Sequence, residues 1–223
     1  MKKIYLAVSI LLAAVQVSFA QLSRQLDAFT NLEVTDKITV NFIPSAENKI
    51  LIEGELANQM EIVQQHNLLR LKMGGSYLLQ GDKVQVTLYA SNIKDIAAKK
   101  GSKINVSAPL KGDRIQLSAV EGAFVESAVE AGKLIASAHT GGVLDVKGTC
   151  KTQEITSNLG GEYKGKKVAS EEAIVRINGG SKVELTATKT VDVQTRAGGV
   201  VNIYGKPADK KERKFAGGKI NYL

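Results

Sequence analysis

Two carboxylates are the residues of this chain whose types and spacing best suit catalysis. The positions of Glu126 and Asp145 differ by 19, an interval that recurs through the second half of the sequence. If each interval forms one coil, the two side chains are neighbours about 5 Å apart on one outer face. Such a pair predicts general acid and base chemistry on a polysaccharide, as in a hydrolase or lyase. The competing interpretation, which we favour, is a solvated outer face that carries charge by default.

Basic side chains offer a second chemistry, the binding of an acidic ligand. Lys164, Lys166 and Lys167 are the candidate binding residues, and further basic clusters lie at 99–103 and 206–214. Ammonium groups arranged in a strip would bind the carboxylates of an acidic glycan. The alternative is ordinary surface charge that discourages sheet edges from pairing with other chains.

The other reactive residue types predict no site. His66 and His139 have no serine or cysteine at a spacing that marks a nucleophile, and a single histidine is a weak indication of a metal. Cys150 is the single cysteine, so we expect a buried thiol, no intramolecular disulfide and no cysteine metal cluster. The chain has no tryptophan, which argues against a deep sugar cleft but leaves a shallow polar face open. We expect neither a metal nor a cofactor.

Residues 1–20 have the pattern of a secretory signal peptide. Two lysines precede an apolar stretch at 4–17, and small residues at 18 and 20 mark cleavage after Ala20. The stretch is shorter than the roughly 20 residues of a membrane-spanning helix. Loss of the two lysines lowers the net charge from +8 to +6. We therefore expect an exported protein of the periplasm or cell surface, with no transmembrane segment in the mature chain and no nucleic acid partner.

A glycine repeat predicts the elements that position these residues. Six glycines recur with the same period of 19, and all but the first are followed by a second glycine: Gly122, Gly141, Gly160, Gly179, Gly198 and Gly217. A fixed period indicates a solenoid, whose units become stable by stacking on each other. Apolar and polar residues alternate on both sides of most of these glycines, which predicts strands with one face inward. At about 3.3 Å per residue, one repeat is long enough for a coil of three short strands.

The repeat glycines are predicted to turn the chain at one corner of every coil. Positive φ or the close approach of a neighbouring backbone would exclude a Cβ there. A phosphate-binding loop is a poor alternative, because no helix follows these pairs. In the unit from Gly179 the apolar positions are shifted by one residue, which predicts a bulge or register change. Steps of 19 also define one mixed column, which predicts a coil corner: Val120, His139, Asn158, Ile177 and Arg196.

Residues 21–90 form a less regular β-rich part, with longer coils, before the regular repeats at 91–223. Alternating apolar residues from Leu32 to Phe42 predict one extended segment that ends at Pro44. A short helix around residues 56–63 is a further option. Helical arrays are excluded because their repeats need about 34 residues, and hexapeptide β-helices because they repeat every six. The fold class predicted is all-β.

Five sequence features carry a family resemblance. They are the opening strand at 29–34, the runs at 67–71 and 84–88, the segment 93–96 leading to Gly101 and Ser102, and the Gly-Gly repeats. Together they resemble the putative auto-transporter adhesin head GIN domain, a family common in Bacteroidetes and first catalogued as a domain of unknown function. The resemblance covers essentially the whole mature chain. It implies a right-handed parallel β-helix with an adhesin-like role outside the cytoplasm, and it supplies no catalytic or ligand residues.

The sequence therefore predicts a non-enzymatic exported protein that binds a macromolecule, a polysaccharide or a surface protein, through the faces of a solenoid. One alternative is a polysaccharide-active enzyme that uses Glu126 and Asp145, and another is a structural or self-assembling envelope component. The segment 219–223 is predicted to be a strand of the last coil. We expect that coil to be covered by an N-terminal strand, by the basic loop 206–214, or by a second copy in a homodimer that buries Ile220 and Tyr222.

Overall fold

The computed structural model describes residues 22–223, which form a β-solenoid of about seven turns. This confirms the predicted all-β solenoid, whereas the predicted signal peptide at 1–20 lies outside the described residues. Within 22–223 no helix is both long and apolar enough to span a bilayer.

The strands are β1 (Leu22–Gln25), β2 (Asn31–Val34), β3 (Thr39–Pro44), β4 (Lys49–Glu53), β5 (Met60–Gln65), β6 (Leu68–Met73), β7 (Gln85–Ala90), β8 (Asp95–Ala98), β9 (Lys103–Val106), β10 (Leu110–Val120), β11 (Phe124–His139), β12 (Val143–Asn158), β13 (Glu162–Ala169), β14 (Glu172–Asn178), β15 (Lys182–Thr186), β16 (Thr190–Arg196), β17 (Val200–Tyr204), β18 (Asp209–Phe215) and β19 (Lys219–Tyr222). Short 3₁₀ helices occupy Ala57–Gln59, Gly75–Tyr77 and Gly81–Lys83.

The strands stack along the solenoid axis on two long faces. Face 1 runs in the order β5, β6, β2, β8, β10, β11, β12, β14, β16, β18. Face 2 runs in the order β1, β4, β7, β3, β9, β11, β12, β13, β15, β17, β19. The long strands β11 and β12 contribute to both faces. All coil-to-coil pairs are parallel, and the antiparallel pairs among the described strands are β1 with β4, β4 with β7 and β5 with β6.

Inward side chains of successive coils stack into a continuous core. On face 2 the register aligns Val125, Leu144, Tyr163 and Val183, all of which are fully buried. Alternation along each strand places the intervening polar residues outside. Each fully buried side chain of this size contributes about 1.5–3 kcal/mol, so the stacking of coils supplies the stability that a single coil lacks.

The coils differ slightly in length. Register partners on β12, β14, β16 and β18 are Glu154, Ile174, Asp192 and Lys211. The step in residue number from β12 to β14 is one residue longer than the glycine period of 19. The step from β14 to β16 is one residue shorter, and the step from β16 to β18 equals the period. The extra residue enters β13 as a bulge opposite the stretch of β12 between Asp145 and Lys147. The register change predicted for the unit around Gly179 is thus confirmed, and the shorter coil restores the phase.

The turn from face 1 to face 2, here called the glycine corner, holds the six repeat glycines, each at positive φ. Gly179 nevertheless differs from the other five because of the longer coil. Its backbone position matches Leu159 and Ala197, which both have φ of 50°, and Gly180 takes the turn position of Gly160. The equivalence of Gly179 with the other repeat glycines, assumed from their constant spacing, was therefore wrong.

Two predictions for the N-terminal part are wrong. The segment from Leu32 to Phe42 is not one strand, because a tight turn at Asp36 and Lys37, with φ of 61° and 64°, separates β2 on face 1 from β3 on face 2. Residues 56–63 form a single 3₁₀ turn followed by β5 instead of a helix. In both places the apolar spacing is satisfied by residues that face inward from two different elements.

The N-terminal coils do not stack in sequence order. Strand β2 pairs on one side with β6 and on the other with β8, so the β6–β7 coil lies outside the β2–β3 coil. Glu33 on β2 links both neighbouring coils, since its carboxylate accepts hydrogen bonds from Arg70 Nε at 2.7 Å and Lys99 Nζ at 2.8 Å. The antiparallel strands β1, β4 and β5 then cover the N-terminal end.

Among residues 22–223, neither the basic loop nor an N-terminal strand covers the C-terminal coil. Most of the predicted loop is β18, which is itself the last strand of face 1, and β1 lies at the opposite end. The positions of β18 that continue the inward columns hold Lys210, Glu212 and Lys214. Lys210 Nζ lies 4.2 Å from the centroid of the Tyr222 ring. These contacts do not test the predicted pairing with a second copy, although pairing would bring the charged side chains of β18 together.

Candidate functional site

The register places Glu126 directly beside Asp145 on face 2. Glu126 is exposed and Asp145 half-buried, and the next residues in their column are Asn105 on one side and Lys164 on the other. Within residues 22–223, no three His, Cys, Asp or Glu side chains are grouped so that they could hold a metal ion. The pair therefore presents two carboxylates to solvent, between an amide and an ammonium group.

The three candidate lysines lie on β13 and have different neighbours. Lys164 Nζ lies 3.7 Å from a carboxylate oxygen of Glu162, and Lys166 Nζ lies 4.3 Å from the centroid of the Tyr204 ring. Lys167 stands opposite Lys147 across the bulge. Because the bulge breaks the alternation of side chains along β13, Lys166 and Lys167 are both exposed, while Lys164 is half-buried.

A fully enclosed polar network lies behind the bulge. The Tyr163 hydroxyl donates to Gln153 Oε1 at 2.7 Å, and Gln153 Nε2 donates to Ser170 Oγ at 2.9 Å and to the Thr186 carbonyl at 3.1 Å. Burial raises the pKa of Tyr163 well above its ordinary value. Since every member is paired within the core, the network supports the irregular coil and is closed to a ligand.

Cys150 is a buried thiol. It is 8% exposed, and burial raises the pKa of its thiol to about 11. A thiol that stays protonated at neutral pH is a poor nucleophile and a poor metal ligand.

A further site lies on the outside of face 1, where two adjacent columns of β12, β14 and β16 are wholly polar. They line a shallow groove of about 330 Å³, here called the arginine groove. The first column is Thr156, Arg176 and Gln194, and the second is Asn158, Asn178 and Arg196. His139 continues the second column, and its Nδ1 lies 3.1 Å from Asn158 Nδ2.

Positive charge exceeds negative charge around this groove. Asp192 accepts hydrogen bonds from both Arg176, at 3.3 Å, and Arg213, at 2.8 Å. With its amide oxygen turned toward Arg196, Gln194 accepts two hydrogen bonds of 3.0 Å from that guanidinium. Two guanidinium groups thus share the Asp192 carboxylate, whereas the third, that of Arg196, has only the neutral Gln194 amide as hydrogen-bond partner within residues 22–223. The arrangement suits an anionic ligand.

An exposed aromatic ring borders the groove. Phe215 is 53% exposed, follows Arg196 in the same column, and has its ring centroid 5.6 Å from the Arg196 guanidinium. A flat ring beside arginine and amide side chains provides both stacking and hydrogen-bonding surfaces. The sequence analysis missed this site because steps of 19 place Ile177 in the column. The true member is Asn178, and allowing for the shifted unit would have revealed it.

Comparison with known proteins gives a family and a fold. A family model described as "Putative auto-transporter adhesin, head GIN domain" matches residues 28–207. A putative adhesin from Bacteroides fragilis is 16% identical with a TM-score of 0.85, and the match covers 93% of this chain and 98% of that chain. A putative adhesin from Parabacteroides distasonis is 16% identical with a TM-score of 0.72 and the same coverage. A putative lipid binding protein from that organism is 14% identical, also with a TM-score of 0.72 and the same coverage. No curated protein matches the sequence.

Proposed function

Because this chain belongs to the family of putative auto-transporter adhesin head GIN domains, we propose that it is an exported binding protein that attaches to an acidic polysaccharide through the arginine groove. The family description supports attachment, and the signal-like pattern at 1–20 supports export to the periplasm or cell surface. An exported protein of this kind meets envelope glycans and surface proteins, whereas nucleic acid is not an expected partner.

The observation that carries the proposal is the pair of polar columns that line the groove. Coils stack about 4.8 Å apart, so the columns present an amide, hydroxyl or guanidinium group at short, regular steps along the axis. A linear polysaccharide lying along the axis would cross successive coils and meet these groups in turn. The Arg196 guanidinium, whose hydrogen-bond partner is a neutral amide, favours sugars that carry carboxylate or sulfate groups, since charge-assisted hydrogen bonds are the stronger ones.

The groove favours binding over catalysis. Asp192 is the carboxylate at its edge, and hydrogen bonds from Arg176 and Arg213 already engage its oxygens. Glu126 and Asp145 lie on the other long face. We therefore place the enzymatic alternative behind the binding function.

Arrays of acidic and neutral glycans, followed by calorimetry on the acidic ligands that bind, test this function. We expect Arg196→Gln to weaken binding at least tenfold, which corresponds to about 1.4 kcal/mol. Lys147→Gln is the matched control, because it removes one positive charge from face 2 and should leave the affinity unchanged. Equal losses in the two variants, or binding confined to neutral glycans, would contradict the proposal.

A further inference from the structure

A pair of exposed leucines stands apart from the arginine groove, at the N-terminal end of the glycine corner. Leu78 and Leu79 lie between two 3₁₀ turns and are 54% and 47% exposed. Leu79 also has a φ of 62°, a left-handed conformation that asparagine or glycine would adopt at lower cost. Two adjacent leucines therefore form an apolar patch that does not contribute to the core.

Lysines border these leucines on the neighbouring turns. Lys37 and Lys100 are exposed and, with the leucines, line an open cleft of about 510 Å³. The acidic groups of the cleft are Asp36 and Glu121. Asp36 is 2% exposed, accepts a hydrogen bond from the Met73 backbone N–H at 3.2 Å and lies 3.8 Å from Lys100 Nζ, so its buried carboxylate offsets part of the Lys100 charge. Glu121 is exposed and belongs to the turn of the next coil.

We propose that this leucine patch, formed by Leu78, Leu79, Lys37 and Lys100, docks the protein on an anionic phospholipid surface. Adjacent leucine side chains enter the boundary of the acyl chains, and lysine stems extend over apolar surface while their ammonium groups bind lipid phosphates. The net charge of +6 expected for the chain without residues 1–20 adds attraction to anionic lipid. A second protein copy fits less well, because it would bring the same lysines together.

Vesicle sedimentation tests the proposal, using protein purified without residues 1–20. We expect it to sediment with phosphatidylglycerol–phosphatidylethanolamine vesicles and not with phosphatidylcholine vesicles. Leu79→Asn should reduce the fraction bound about tenfold while the thermal midpoint stays equal or rises, because asparagine accepts a left-handed φ. Lys37→Gln should reduce binding about fivefold at low salt.

Leu159→Asn is the matched control. Leu159 has a φ of 50°, is 65% exposed and lies on the same glycine corner, several coils away from the patch. Retained vesicle binding in this variant supports the proposal. Absence of sedimentation with anionic vesicles, or equal losses in Leu79→Asn and Leu159→Asn, would overturn it. A dimer in light scattering that Leu79→Asn dissolves, without vesicle binding, would also overturn it and identify a second copy as the occupant.

Discussion

Gly161 lies against Ala138 of the preceding coil, so closely that a Cβ on Gly161 would stand 2.1 Å from the Ala138 carbonyl oxygen. Gly160, one residue earlier, has space for a side chain but a left-handed backbone. A Cβ on Gly160 would meet nothing within 4 Å, and its φ is 73°. Gly160 is thus required for backbone conformation, whereas Gly161 is required for space.

Three alanine substitutions at the glycine corner should therefore differ in cost. We expect Gly161→Ala to destabilise the protein by about 2–3 kcal/mol, because the adjacent coil must move. Gly160→Ala should cost about 1 kcal/mol through its left-handed φ. Gly179→Ala should cost about as much as Gly160→Ala, since its φ of 63° is also left-handed and a Cβ there would lie at a contact distance of 3.4 Å from Leu159. Urea unfolding measures the ranking, and equal costs at all three positions would contradict the close approach of Gly161 to Ala138.

Glu33 should stabilise the arrangement in which β2 lies between β6 and β8. Burial opposes ionisation of its carboxyl, but Lys99 and Arg70 outweigh burial and hold the pKa of Glu33 below its ordinary value of 4.5. We expect Glu33→Gln to cost about 1–3 kcal/mol at pH 7. A lowered folded-state pKa means that this stabilisation is present above pH 4.5 and disappears as the pH falls through the folded-state value.

Glu61→Gln is the control for Glu33→Gln. The Glu61 carboxylate contacts Lys72 at 2.7 Å, but both side chains are well exposed, so the loss should be below about 1 kcal/mol. Denaturant unfolding between pH 3 and pH 7 compares the two variants. A Glu33→Gln penalty that persists unchanged at low pH would exclude the electrostatic explanation.

Alkaline pH should destabilise the core around the bulge. Burial raises the pKa of Tyr163 above 10.0, so the folded protein holds this proton more tightly than the unfolded chain does. The associated stability is full below pH 10 and is lost as the pH rises through the folded-state value. Tyr163→Phe should lower stability by about 1–3 kcal/mol at pH 7, because Gln153 loses its partner, yet reduce the further loss above pH 10. Thermal melts by circular dichroism from pH 7 to pH 11 measure this difference. The midpoints of Tyr163→Phe and the parent protein should approach each other as the pH rises, and a constant difference between them would contradict the prediction.

Polysaccharide cleavage should be absent. Glu126 and Asp145 are solvated neighbours on face 2, and we expect no release of reducing ends or unsaturated products from neutral or acidic polysaccharides. Glu126→Gln and Asp145→Asn serve as the comparison. Activity in the parent that both substitutions abolish would restore the enzymatic alternative.

Charged side chains should prevent self-association at the C-terminal end. Because Lys210, Glu212 and Lys214 occupy inward positions of β18, a further coil cannot stack there without burying charge. We expect a monomer in light scattering, and association when all three are replaced by valine. A parent dimer that Tyr222→Lys converts to monomer would instead support pairing through Ile220 and Tyr222, and with it a structural envelope role.

The periodic part of the fold could be predicted from sequence because its cause is local. A glycine at positive φ and an alternating strand are required in nearly every coil, so the pattern repeats visibly. The bulge in β13 could be inferred only as a shift near Gly179, since its position depends on how Tyr163 and Gln153 pack in the core. The same shift is why the arginine groove was not predicted. Its columns cross one longer and one shorter coil, so their members are not 19 residues apart.

The N-terminal coil order could not be predicted from spacing. Strands β2 and β6 have equally suitable alternation, and the choice between them rests on contacts between residues far apart in sequence, such as Glu33 with Arg70 and Lys99. The leucine patch likewise depends on a left-handed turn conformation at Leu79, which a leucine in the sequence does not predict. Glu126 and Asp145 were found from sequence because the intervening coil has the regular length.

The position of β2 between β6 and β8 also dictates an order of events in folding. Asn31 pairs with Leu68 and with Asp95, so the first face 1 strand to be synthesised cannot complete its pairing until the whole of β8 has emerged. The N-terminal part should therefore be the slow, nucleating step. Each later coil then stacks on a coil that has already folded. Chains shortened by whole coils from the C-terminus should therefore still fold, whereas chains that lack β2 should not.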